Sequence, residues 1–307
     1  METTSSKTDQ ELDIPCHVSV MPDEIVAAFS DQSPRVIVDG TFGAGGHSRR
    51  LLEANSRSDL ILIGLDRDPE VSRRYDQSPL ADPRLTLFVG SYEKTAKAMV
   101  AMDVDAIDAM VLDLGLSSDQ LANRQRGFSF THEEAPLDLR FDQEAGHTAA
   151  DWLAWSNEKE IADAIYQYGE ERCSRRIARE VVARRRREDP IKTVGQMAEV
   201  CRQCVPRSRN HDIHPATRTF QALRIVVNDE LGALERTLRS AAEWFSPGGR
   251  LAIISFHSLE DRMVKQAFRD DERWNPITRK PLRPTDEEVR SNSRSRSAKL
   301  RIAERVH

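Results

Sequence analysis

Three apolar runs that each end in aspartate constrain this chain more than any other feature. They are Val36-Ile37-Val38-Asp39, residues 60–66 (LILIGLD) and residues 106–113 (AIDAMVLD). Their apolar residues are continuous rather than alternating with polar ones, the signature of strands covered by helices on both faces of a parallel sheet. RLTLFVG (84–90) reads as a further strand, and helical patterns separate the runs from Val18 to about Ser118. That alternation predicts a doubly wound, mostly parallel α/β sheet. Open parallel sheets bind ligands beyond the carboxyl ends of their strands, so Asp39, Asp66 and Asp113 are expected to converge on one crevice.

The first strand runs into Gly40, Gly43, Gly45 and Gly46 within eight residues. Glycines between a strand and a helix let the backbone approach a ligand and leave N–H groups free at the helix start. The dinucleotide fingerprint fails, because it would need glycine at position 48, where Ser48 stands; the phosphate-cradling P-loop fails because no Gly-Lys-Ser/Thr follows. What remains, acid-Gly-x-x-Gly-x-Gly-Gly, resembles the first loop of S-adenosylmethionine-dependent methyltransferases, whose cofactor carries no phosphate. Asp66 lies about 25 residues further on, where such folds place a carboxylate on ribose hydroxyls.

After Asp113 the alternation stops, and the next strand pattern, GRLAIISF (249–256), lies more than 100 residues on. The interval carries helical periodicity in TAADWLAWSNEKEIADAIYQYG, ERCSRRIAREVVARRR and TVGQMAEVCRQCVP, and PATRTFQALRIVVNDELGALERTLRSAAEWF returns toward the sheet. A helical insertion is therefore expected at 119–212, flanked by a main domain at 15–118 and 213–307, with 1–14 a disordered tail. No run reaches the ~20 apolar residues of a membrane span, and the N-terminus is polar and acidic, so a soluble, cytoplasmic chain is expected. Of the four cysteines, Cys201 and Cys204 form a CxxC that lacks a second pair, so no metal is expected there. The net charge of −5 argues against nucleic-acid binding, yet residues 171–187 hold eight arginines against two glutamates. That run reads either as a solvated helix face or as a grip on phosphates, with Arg185 and Arg186 as the contacts.

Taken together, DGTFGAGGHS, LDRDP, LDLGLSS, RGFSF, PLDLR, YGEER, HPATRTFQALRI, PGGRLAIISFHSLEDR and LRIAER resemble the MraW-type ribosomal RNA cytosine-N4 methyltransferases, from about His17 to Arg305. The resemblance implies a class I S-adenosylmethionine-dependent methyltransferase fold with an inserted helical, RNA-recognising domain. It also implies methyl transfer from that cofactor to the exocyclic N4 amine of a cytidine in the decoding region of small-subunit (16S) ribosomal RNA. Matched by motif, the cofactor contacts would be Gly45, Gly46, His47, Asp66, Tyr92, Asp113 and Gln120, beside Asp39 and Gly43 from the loop reading. Tyr92 stands where many relatives have phenylalanine; either ring can pack on adenine. Small-subunit ribosomal RNA is the expected partner, with no membrane and with room for a homodimer.

A cytosine amine is a poor nucleophile because its lone pair is delocalised into the ring, so acceptors must hold its hydrogens. Asp113 and Ser117, in the segment after the fourth strand, are the candidates, Asp113 serving the cofactor, the amine or both. His214 and His257 are further candidates for the cytidine pocket; alternatively His257 bonds a loop and His214 neighbours a helix cap. Arg218, Phe220 and Arg224 fit phosphate holding and base stacking. Two rivals stay open. A DNA cytosine-N4 or adenine-N6 methyltransferase would usually show a Pro-Pro-aromatic motif after the fourth strand. An inactive ribosome-assembly protein would be expected to have lost the strand-end acids, which are intact here.

Overall fold

A computed structural model describes residues 19–76, 82–117, 120–121, 123–130, 132–206 and 214–306. The proposed tail at 1–14 and Ser118, at the end of the LDLGLSS motif, lie outside them. The chain builds one seven-stranded sheet: β1 (Val36–Asp39), β2 (Ile61–Asp66), β3 (Leu85–Val89), β4 (Ile107–Asp113), β5 (Phe245–Ser255), β6 (Trp274–Pro276) and β7 (Lys299–Arg305), in the order β3-β2-β1-β4-β5-β7-β6. Strands β3 to β5 along that order pair in parallel, while β7 runs antiparallel to both β5 and β6. All four residues of β1 are buried, as a central strand requires.

Helices cover both faces. On one side lie α1 (Pro22–Phe29), α2 (Gly46–Ala54) and α3 (Pro69–Asp76), contributing Phe29, Leu51 and Val71 to the core. Helix α4 (Thr95–Ala101) supplies Met99 to the opposite face. The insertion begins after β4 and holds α5 (Ala149–Trp155), α6 (Glu158–Gly169), α7 (Ser174–Arg186) and α8 (Val194–Cys204). The segment expected as one helix across Ser156 is broken there, because Asn157 caps α6: its side chain accepts from the Glu160 N–H while the Glu160 carboxylate accepts from the Asn157 N–H. Cys201 and Cys204 sit in this helical core, and burial pushes the Cys201 thiol up to about 12.

The helical core does not stop near residue 212. It continues through α9 (Thr217–Asn228), which gives it Phe220 and Leu223, whereas α10 (Glu230–Ser240) packs Leu234 and Leu238 on the sheet. The chain changes layers at Asp229, which adopts left-handed backbone (φ 48°) and splits what reads in sequence as one long helix. Helix α11 (Ser258–Asp270) and the short α12 (Asp286–Ser291) follow β5 and β6.

Candidate methyl-transfer cleft

At the carboxyl ends of β1, β2 and β4 the sheet reverses its strand order, and there a cleft of about 870 Å³, counted to its mouth, opens between sheet and insertion. The glycine loop forms one wall. Gly43 lies at φ 54° and Gly45 at φ 74°, left-handed values that favour glycine. The Gly43 N–H donates to Asp66 Oδ2 at 2.7 Å, and the Asp68 N–H donates to Asp66 Oδ1 at 2.9 Å. Burial pushes the Asp66 carboxyl up to about 6, against the two backbone donors that favour its charged form.

Asp39 does not line this cleft, contrary to its expected cofactor contact. It is fully buried behind the loop, where its carboxylate accepts from the Thr41 N–H at 3.2 Å and the Ser48 hydroxyl at 2.7 Å. It therefore shapes the loop that the cofactor meets. Asp113 does line the cleft, with its N–H donating to Thr41 Oγ1 and its Oδ2 lying 3.5 Å from His47 Nε2. Burial pushes the His47 imidazole down, but Asp113 and then Asp39 outweigh this and hold it above the ordinary histidine value. The other carboxylate oxygen, Asp113 Oδ1, is buried with no hydrogen-bond partner. Such an acceptor waits for a donor that the chain does not supply.

Ser117 and Gln120 also face the cleft and hold each other: the Gln120 N–H donates to Ser117 Oγ and the Ser117 N–H to Gln120 Oε1. Tyr92 lines it as a nearly buried ring with the Arg67 guanidinium 5.9 Å from its centroid. Gly43, Gly46 and His47 lie in the lining, while Gly45 is the residue preceding α2.

The remaining sequence candidates are elsewhere or are engaged by the fold. His257 caps α11, its Nδ1 accepting from the Glu260 N–H and its Nε2 lying 3.0 Å from Glu260 Oε1; it is Glu260, not His257, that lines the cleft. Arg224 is held by both oxygens of Glu230, at 2.7 and 2.9 Å, leaving little of it for a phosphate. Phe220 is buried in the helical core, edge-on to Phe130, and His214 stacks on Phe130 at 4.9 Å. Arg185 Nη1 donates to the carbonyls of Leu153, Ala154 and Ser156, closing the end of α5, whereas Arg186 and Arg218 are exposed. Sequence reasoning missed Glu230, Glu260 and Arg294. Glu260 had a signal, standing three residues after His257 as the partner in a capping box; Arg294 comes from the Ser/Arg tail, which sequence alone does not bring beside Leu116.

The lining fits an S-adenosyl group. A carboxylate stands at the end of β2 for ribose hydroxyls, a ring is placed for adenine, and Asp113, Glu230 and Glu260 give an acidic surround for a cation. A model of the MraW methylase family matches residues 15–306. The ribosomal RNA small subunit methyltransferase H of Rhodopirellula baltica is 62% identical over 297 residues, covering 94% of this chain and 91% of that protein. The proteins of the same name from Deinococcus deserti and a Synechocystis strain are 47% and 44% identical over 290 and 291 residues, each match covering 94% of this chain and 93% of the relative. S-adenosylmethionine is the cofactor of this chain. By fold, cleft and similarity along nearly its whole length, the chain belongs to the MraW methylase family.

Proposed function

We propose that this chain methylates small-subunit ribosomal RNA, transferring the methyl group to the exocyclic N4 amine of a cytidine in the decoding region, and that its helical insertion is the RNA-recognising part. The observation that carries the chemistry is Asp113 Oδ1, a buried, unpartnered acceptor at the end of β4 in the cleft wall. Bound S-adenosylmethionine supplies a methyl carbon made electrophilic by the sulfonium. The chain's work is to hold an amine nitrogen in line with that carbon and keep its lone pair out of the ring. Asp113 Oδ1 accepts one N–H of the amine and draws the nitrogen toward tetrahedral geometry. His47, held above its ordinary value, lies 3.5 Å from Oδ2 and keeps Asp113 in place. A strong base is not needed, because the nitrogen becomes acidic as it is alkylated and water takes the proton.

Reading the base requires it to leave its stack, which a single-stranded loop permits at low cost. The test is to incubate the purified chain and labelled S-adenosylmethionine with unmethylated small ribosomal subunits, free ribosomal RNA, DNA and cytidine, then to identify the labelled base. N4-methylcytidine at one decoding-region position in subunits supports the reading. Label on DNA, on another base, or on none of the four would overturn it.

A further inference from the structure

A second groove lies on the other side of the α11 first turn, between the end of α6 and the start of α9. Tyr166, Glu170, Arg172, Arg218 and Arg262 line it, and it encloses about 1210 Å³ to its open mouth. The three arginines come from three separate segments, the turn between α6 and α7, α9 and α11, and meet a single acid. Arg262 is 3.9 Å from Glu170, while among the described residues Arg172 and Arg218 have no acid within ion-pair distance. In a chain with more acids than bases, where most arginines are paired, two unpaired guanidinium groups facing one groove mark a place for an external anion. Tyr166 is 61% exposed beside them, an aromatic face without a packing role.

The groove is built rigidly. Gly169 lets α6 close onto α9, since a Cβ there would stand 2.4 Å from the Arg218 carbonyl oxygen. Gln221 Nε2 donates to the Tyr168 carbonyl at 2.9 Å, and the Ser258 hydroxyl donates to Glu170 at 2.8 Å. It adjoins the methyl-transfer cleft across the first turn of α11, which gives Glu260 to the cleft and Arg262 to the groove.

We propose that this groove holds the single-stranded RNA next to the methylated nucleotide, with Arg172, Arg218 and Arg262 on backbone phosphates and Tyr166 stacked on a flanking base. The inference rests on the proposed RNA substrate and adds which surface grips it. An exposed ring among cations suits splayed bases rather than a duplex, whose bases are covered. Arg186, on the exposed end of α7, is the control outside this groove.

Full-length Arg172→Gln/Arg218→Gln, Tyr166→Ala and Arg186→Gln variants would be compared with the unaltered chain. Binding to a short unstructured RNA oligonucleotide would be followed across a salt series, with methyl transfer to unmethylated small subunits and calorimetric binding of S-adenosylmethionine alongside. The double variant should flatten the log–log salt slope by about 1.4, roughly 0.7 for each lost phosphate contact. Tyr166→Ala should weaken RNA binding about ten-fold and leave the slope unchanged. Both should raise KM for subunits while cofactor affinity stays the same. Unchanged slope and affinity in these variants, with the unaltered chain still methylating subunits, would overturn the groove and leave the substrate reading standing. Failure of the unaltered chain to methylate any RNA would remove the substrate reading and the groove with it.

Discussion

Cofactor binding should carry the titration of Asp66. Its carboxyl is pushed up to about 6 by burial, while both oxygens already accept backbone N–H groups from Gly43 and Asp68. Ribose hydroxyls donate best to the charged form, so bound cofactor and proton compete. If only the carboxylate form binds, the apparent Kd scales as one plus the ratio of protonated to charged Asp66, which for a pKa of about 6 is roughly 0.1 at pH 7 and roughly 10 at pH 5. Affinity should therefore fall about ten-fold between pH 7 and pH 5, where an aspartate at its ordinary value would change it by only about 6%. In the unliganded chain the sign is opposite. The folded-state value is raised, so the cost of keeping Asp66 charged is fully present above pH 6 and disappears as pH falls below 3.8, a contribution of about 3 kcal/mol. Calorimetric titration with S-adenosylmethionine at pH 5, 6 and 7 reads the effect, and Asp66→Asn separates it from His47, which also titrates nearby. The variant should bind at least ten-fold more weakly at pH 7, having lost a charged acceptor worth about 1.5–3 kcal/mol, and should lack the steep fall. The same pH dependence in variant and unaltered chain would refute the assignment.

Three further outcomes follow from side chains already placed. Asp113→Asn should lower kcat for subunits about a hundred-fold or more with cofactor Kd changed much less, because the amide cannot replace the charged acceptor at Oδ1; a near-normal kcat would remove Asp113 from the amine. Arg126 is buried, ion-paired to buried Asp68 and bonded to the Arg140 carbonyl, so Arg126→Met should destabilise the chain by about 3–5 kcal/mol in denaturant unfolding, and a loss below about 1 kcal/mol would contradict that pairing. Arg185→Ala should cost about 1–3 kcal/mol of stability, by freeing the carbonyls at the end of α5, and leave the salt slope of RNA binding unchanged; a flattened slope with unchanged stability would return Arg185 to the phosphates.

The parts of the fold that were legible in sequence are those whose physics is local. A strand buried on both faces must be apolar throughout, so β1, β2 and β4 announce themselves, and their terminal acids lie where the strand order reverses. Positive φ at Gly43 and Gly45 matches the glycines that marked the loop. The antiparallel edge was not read: β7 is a strand of Lys299-Leu300-Arg301-Ile302-Ala303-Glu304-Arg305, whose charged positions conceal its pairing with β5. Nor was the break at Asp229, because apolar spacing continues across it and only the change of packing partner, helical core before and sheet after, explains the turn. In the cleft, Asp66 and Asp113 follow from their position at strand ends alone, whereas Asp39, at the end of β1, is buried behind the loop instead of facing the cleft. Arg294 and Glu230 were not legible, since each reaches the cleft through tertiary folding of a distant segment.

Arginine shows why composition misleads in this chain. A guanidinium carries five N–H donors in a fixed plane, which suits it to gathering carbonyl oxygens at helix and loop ends as well as phosphates. The insertion contains many such ends that the sheet's own hydrogen bonds cannot satisfy. Arg126 ties the RGFSF segment to Asp68 and to the Arg140 carbonyl, Arg185 collects three carbonyls after α5, and Arg224 meets Glu230 at the base of the cleft. The arginine-dense helix α7 thus first fastens the insertion's own helices to one another, Arg185 reaching the carbonyls at the end of α5 and Arg176 the Gln203 carbonyl at the end of α8. The density of arginine along α7 therefore says little about RNA, and what distinguishes a phosphate contact is an exposed guanidinium with no internal acceptor. Among the described residues, Arg172 and Arg218 meet that condition where the insertion adjoins α11, and Arg185 does not. If charge density alone set RNA affinity, neutralising Arg185 and neutralising Arg218 would change the salt slope equally; under the proposed groove only Arg218 should change it.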